Sequence, residues 1–272
     1  MYIVARFIDY LESIDELNGT IHILPSANPA AQFVNTRVSP LDYKDLNRAG
    51  RGNSEGSYTD RLGAKLYDFL VSCDFVVNIH EFEMLTPTTA VFMNAGSKDI
   101  KTKTLAAIKS FAPDIIWVID ASQNQDVQYQ ATLDTALTEA GVANFPIETT
   151  QLLLMNNNEI DRIARGLMNV AAHFGIVSTL SNSSHNSIPA YVRHEITANY
   201  SGLWEPKEGL MRQVNQGEEI GVLRQLPDFQ RRVLYSPLSG VLIQYRKHQV
   251  VSTGTSLIGI GSTVQSIITA YE

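Results

Sequence analysis

The sequence predicts an α/β domain over residues 1–188 followed by a small all-β domain over 189–272, and three features of the 272-residue chain carry this reading. Strand-like runs alternate with amphipathic helices up to about residue 174. The polar run Ser178 to Ser187 has the composition of a linker. Beyond Pro189 the chain is cut by glycine and proline into short β-rich pieces.

The first element reads as a helix, with Ile3, Val4, Phe7, Ile8 and Leu11 at helical spacing and Asn18-Gly19 closing the segment. Thr20 to Leu24 alternates like a strand until Pro25 breaks it. Pro25 to Gly56 is rich in Asn, Ser, Gly, Arg and Asp and has little apolar periodicity. Irregular segments of that length are uncommon inside compact domains and are often functional. Tyr58 to Cys73 then sets Leu62, Leu66, Phe69 and Leu70 on one helical face, with Thr59 able to cap. Phe75 to His80 and Ile115 to Ile119 are β-branched runs of the kind buried on both faces of a sheet. Gln123 to Ala140 and Asn156 to Phe174 read as helices, the second with Ile160, Ile163, Leu167 and Val170 in one stripe. The pieces EEIGVL, RRVLYSP, SGVLIQYRK, HQVVSTG and TSLIGIGS recur at the spacing of a sandwich or barrel. GIGS, near Gly259, is followed by no helix and reads as a β-turn, not a nucleotide loop.

Composition narrows the function classes. A net charge of -7 and the lack of a Lys/Arg cluster argue against nucleic acid. No stretch approaches the roughly 20 apolar residues of a membrane span, and the first helix lacks a signal-peptide cleavage region. Cys73 is the only cysteine, which excludes an intrachain disulfide and a Cys-rich metal cage and favours a reducing compartment, so a cytoplasmic location is expected.

The polar segment carries, in order, PSANP, then Arg37, then Asp45-Leu46-Asn47-Arg48. A planar guanidinium offers paired donors to a carboxylate and an asparagine amide adds another. The plain alternative is a loop salt bridge between Asp45 and Arg48 with Asn47 as a turn residue. His80 stands where a buried strand runs out, the position at which open α/β sheets bind ligands. Glu83 would join it as His-x-x-Glu only if a turn followed. Glu148 lies in ANFPIETTQ, a short strand-like piece, and is otherwise a solvated residue near a strand end.

In this order the motifs resemble those of the succinylglutamate desuccinylase/aspartoacylase family, which is similar to the zinc carboxypeptidases. The resemblance implies a mixed central sheet flanked by helices and a zinc-dependent deacylase acting on the amide bond of an N-acyl amino acid or similar small carboxylate. It also implies that Arg37, Asn47 and Arg48 grip the substrate carboxylate, that His80 binds zinc and that Glu148 is the general base. Two departures stand out, Asn78 where the family has aspartate and Thr150 where it has glycine. The family's other two zinc ligands belong to a Gly-x-His-Gly-x-Glu turn before the first helix, whereas Met1-Tyr2 already opens that helix. His22, His173, His185, His194 and His248 supply no obvious replacement pair. The expectation is a start that lies late or a compensating association, and homo-oligomerisation stays open. The alternative is a metal-deficient member that binds a small carboxylate without catalysis. The C-terminal pieces are similar to biotinyl and lipoyl carriers, but Lys247 between Arg246 and His248 is no carrier lysine, so a wall or lid for the site, or an oligomer contact, is expected.

Overall fold

A computed structural model describes residues 1–120, 122–150, 154–178 and 187–271. Its helices are α1 (Tyr2–Glu12), α2 (Pro29–Phe33), α3 (Tyr58–Leu70), α4 (Lys98–Phe111), α5 (Leu133–Glu139), α6 (Asn157–His173) and α7 (Gln265–Thr269). The strands of the first half are β1 (Phe75–Phe82), β2 (Thr89–Met93), β3 (Ile115–Ile119) and β4 (Ala143–Thr150). Those that follow are β5 (Ala190–Thr197), β6 (Gly202–Pro206), β7 (Gln213–Val214), β8 (Glu219–Gln225), β9 (Gln230–Tyr235), β10 (Gly240–Tyr245), β11 (Gln249–Val251) and β12 (Ser256–Thr263).

Among the described residues an eight-stranded sheet runs β1-β4-β2-β3-β5-β12-β10-β7, and a four-stranded sheet runs β11-β6-β8-β9. The large sheet is mixed: β1 with β4, β2 with β3 and β3 with β5 are parallel, while β2 with β4 and β5 with β12 are antiparallel. Ile116 and Trp117 of β3 pair with Ala190 and Tyr191, so strands from both sides of residue 188 share one sheet. Most of the linker-like run, residues 179–186, lies outside the described residues.

Alternation along the strands divides the sheet into two chemically different faces. One turns Ala90, Phe92, Ile116, Val118, Phe145 and Ile147 onto Ile3 and Phe7 of α1, Ile108 of α4, and Ile163 and Met168 of α6. Burial of this apolar surface is the main driving force for the α/β layer. The opposite face has smaller apolar clusters, Val91, Met93, Trp117 and Ile119 in one, Val76 with Leu137 and Val142 in another. It is this second face that α3, α5 and the polar loop cover. None of the described helices is long and apolar enough to cross a membrane.

Several expectations are corrected. The first helix stops at Glu12, well before Asn18-Gly19. Thr20 to Leu24 is irregular: β1 is the edge of the sheet, and the alternation of Ile21 and Ile23 reflects packing on the core without ladder partners among the described residues. Strand β1 runs two residues past His80, so the histidine is inside the strand rather than at its tip. Ser57, not Thr59, caps α3, in a reciprocal arrangement with Asp60. The stretch 123–140 is broken into a 3-10 turn, Asn124–Tyr129, and α5, because Thr132 caps a fresh helix by accepting from the Thr135 amide. GIGS is part of β12, where Gly261 lets the strand approach the Tyr191 ring; a Cβ there would stand 2.9 Å from the ring.

The polar loop is seated on α3 by a close backbone approach. Gly52 has φ +67°, and a Cβ built on it would lie 2.0 Å from the Ala64 nitrogen. Both the left-handed conformation and the contact demand glycine. Gly52→Ala is expected to lower stability by about 1–3 kcal/mol in urea unfolding; an unchanged midpoint would contradict this seating.

Candidate active site

The loop between Pro25 and Gly56 is ordered by its own polar side chains. Asn28 caps α2 by accepting from the Ala31 amide. Val38 and Asp45 pair across a tight turn in which Tyr43 is left-handed at φ 56°. The Asp42 carboxylate ties that turn to the start of α3, accepting from the Ser57 hydroxyl and from the amide and hydroxyl of Thr59. Burial alone would raise the Asp42 carboxyl, but these bonds, with one from the Lys44 amide, outweigh it and hold it well below the usual carboxylate range.

Asp45 then sets the candidate carboxylate binders. One of its oxygens takes both Nε and Nη2 of Arg37 at 2.9 Å, and the other accepts from the Asn47 amide at 2.9 Å, capping the 3-10 turn Leu46–Arg48. The ion partner of Asp45 is therefore Arg37 and not Arg48. The Arg37 side chain is 66% exposed. Arg48 donates to the Asn47 carbonyl at 2.8 Å and lies 5.8 Å above the Tyr129 ring.

Below the loop, β1 and β4 run parallel with His80 paired to Glu148. Registered residues of neighbouring strands send their side chains to the same face, so imidazole and carboxylate emerge together. Asn78, two residues earlier on that face, donates to both oxygens of Asp134 at 3.2 and 3.4 Å. This accounts for the asparagine: an aspartate at 78 would set carboxylate against carboxylate, whereas the amide is a donor. Thr150 likewise has a structural reason, since its hydroxyl accepts from the Thr86 amide at 3.0 Å and donates to the Thr86 carbonyl at 2.8 Å.

Burial pushes the Glu148 carboxyl up, and the positive charges of His80, Arg193 and Arg37 pull it partly back while Asp134 adds to the rise. Asp134, 2% exposed, is also raised by burial, with the His80 charge and the Asn78 bond opposing. Arg37, His80 and Arg193 thus each lie within electrostatic reach of Glu148, and Arg48 is linked to Arg193 through Tyr129. Asp134, Tyr129, Trp117 and Arg193 were not singled out by sequence reasoning. The signal available for Arg193 was a lone arginine in the alternation of AYVRHEIT, and for Asp134 an acidic residue in a run read simply as helical.

Residues 1–174 match the family model described as the succinylglutamate desuccinylase/aspartoacylase catalytic domain. The chain belongs to this family. It is 25% identical, over 271 aligned residues, to the N-alpha-acetyl-L-2,4-diaminobutyric acid deacetylase of Halomonas elongata, covering 93% of this chain and 75% of that protein. Its fold is similar to that of the product-bound ectoine utilization protein EutE (DoeB) from Ruegeria pomeroyi, with TM-score 0.83, 20% identity, and coverage of 96% of this chain and 81% of that one. A succinylglutamate desuccinylase/aspartoacylase from Rhodobacter sphaeroides gives TM-score 0.80 at 19% identity, covering 97% of this chain and 82% of that one.

The zinc that this family implies can be tested against the donors present. His80 Nε2 is a buried nitrogen with no hydrogen-bond partner, a donor atom on this face left for a metal. Among the described residues, however, no group of three or more His, Cys, Asp or Glu side chains is arranged to hold a metal ion. A zinc site needs three protein ligands even when one position stays open. These residues supply one, so they do not fit a three-ligand zinc.

The raised Glu148 gives a pH-dependent stability with a definite sign. Below the ordinary glutamate value, about 4.3, the carboxyl is neutral in both folded and unfolded chains and its burial costs little. As pH rises through that value toward the higher folded one, the unfolded chain loses the proton first and stability falls. Glu148→Gln should therefore raise the thermal midpoint near pH 8 and leave it nearly unchanged near about pH 4. An equal gain at both pH values would rule out burial of the charge as the cause.

Proposed function

We propose that this chain hydrolyses the amide bond of a small N-acyl amino acid, with the substrate carboxylate held by Arg37, Asn47 and Arg48 and the proton moved by Glu148. The observation that carries this reading is the His80–Glu148 register on the face over which the Arg37 loop is folded. The two guanidiniums give charge-assisted, planar recognition, and an incoming carboxylate would take over donors that Arg37 now directs at Asp45.

Glu148 suits the proton role because a carboxyl raised above its ordinary value holds a proton more firmly and can both accept and return it. It would take the proton of the attacking water and deliver it to the departing amine as the carbon–nitrogen bond breaks. Positive charge from the arginines would steady the oxyanion that forms on the acyl oxygen.

A second reading is a carboxylate-binding protein without turnover. The observation favouring it is that the described residues offer no three-donor metal group.

The two readings separate with the purified chain, N-acetyl-L-2,4-diaminobutyrate and N-succinyl-L-glutamate. Release of free amine is expected, and Glu148→Gln should reduce it by roughly 10²-fold or more while the dissociation constant of the substrate stays within about twofold. Normal turnover in that variant removes Glu148 from the mechanism. Binding without amine release, with no stoichiometric zinc by elemental analysis after reconstitution, would establish the second reading instead.

A further inference from the structure

A cation reaches this site from the far side of residue 188. Arg193 lies in the middle of β5 with its side chain only 7% exposed. Its guanidinium is 4.2 Å from the centroid of the Trp117 ring and 5.5 Å from that of Phe82. Nη1 donates to Gln244 Oε1 at 2.9 Å and Nη2 donates to the Tyr129 hydroxyl at 3.0 Å, with Glu195 at 3.9 Å from Nη2. An aromatic floor and two fixed acceptors leave such a planar group a single orientation.

Both acceptors lead into the site. Tyr129 is fixed at its other end, where its carbonyl accepts from the hydroxyls of Thr132 and Thr135. The Tyr129 ring meets Trp117 edge-on at 5.5 Å and carries Arg48 at 5.8 Å. Gln244, 2% exposed and set at an irregularity of β10, donates to Thr86 Oγ1 at 3.3 Å, and Thr86 is the residue that exchanges hydrogen bonds with Thr150 of β4. Thr150 follows Glu148 by two positions and so shares its face. A neutral side chain would close this wall at lower desolvation cost than a cation, which argues that the charge and the fork geometry have a use.

We infer that Arg193 is a positioning residue for the carboxylate pocket: it fixes the Tyr129 hydroxyl and, through that ring, the guanidinium of Arg48. This rests on the carboxylate-binding part of the proposed function and deepens it, giving the strands after residue 188 a role in recognition. Trp117 Nε1, buried and without a partner on the same wall, is an unused donor beside this arrangement.

A double-mutant cycle on the full chain tests the inference, with the affinity for N-acetyl-L-2,4-diaminobutyrate measured by calorimetry. Arg193→Lys keeps the charge and loses the fork; Tyr129→Phe loses only the hydroxyl. Each should weaken binding about tenfold, and the double variant should be no more than about twofold weaker than the worse single variant, since both cut one connection. Any hydrolysis should show the loss in KM, with kcat held within about threefold. Wild-type affinity in Arg193→Lys, or effects that multiply, would overturn the assignment. Should Arg193→Lys fail to fold, Gln244→Met, which frees one end of the guanidinium, is expected to weaken binding at least threefold, and unchanged affinity there would overturn it equally. Binding without hydrolysis by the unaltered chain counts against the hydrolase reading alone and leaves Arg193 in its role. No binding of the probe by the unaltered chain overturns both.

Discussion

The parallel register of β1 on β4 is the constraint on which the candidate site depends. A slip by one residue would send His80 or Glu148 into the apolar face packed by α1, α4 and α6. The register is held by the burial of Val77, Ile79, Phe145 and Ile147 on that face and by Val76 on the other. Apolar packing on one side thus fixes where polar chemistry stands on the other. It also accounts for the electrostatics, because a carboxylate rooted in the middle of a covered sheet is desolvated by its position and needs the surrounding cations to remain ionisable.

The polar loop is organised differently, by side chains that bond to nearby backbone. Asp42, Asp45 and Asn28 each replace a missing ladder or helical partner, which lets a segment without apolar periodicity hold one conformation. Asp45 has two functions at once, since it caps the turn bearing Asn47 and Arg48 and restrains Arg37. Arg37, an exposed candidate carboxylate binder, is therefore already oriented by Asp45.

Much of this was legible in the sequence, for identifiable reasons. The β-branched runs at Ile115–Ile119 and the stripe of α6 are strong local signals, and they were read with accurate bounds. Thr20 to Leu24 misled because alternation records which side chains are buried, not whether a ladder partner exists. The reach of β1 past His80 depended on pairing with β4 along its whole length, which no local pattern announces. Within the candidate site, the residues proposed from the sequence share local motifs, while Arg193, Tyr129 and Asp134 enter through tertiary contacts spanning dozens of positions. The two departures from the family's pattern, Asn78 and Thr150, became intelligible only when Asp134 and Thr86 were seen opposite them.

The pairing of β3 with β5 has a kinetic meaning as well as an architectural one. Ile116 and Trp117 must find Ala190 and Tyr191 across the intervening α5, β4 and α6, and β5 itself is completed by β12 near residue 260. Contacts of such separation close late, after locally formed helices have condensed. The wall containing Arg193 is expected among the last parts of the molecule to form, so that recovery of ligand recognition during refolding would time the arrival of the final strands rather than the collapse of the core.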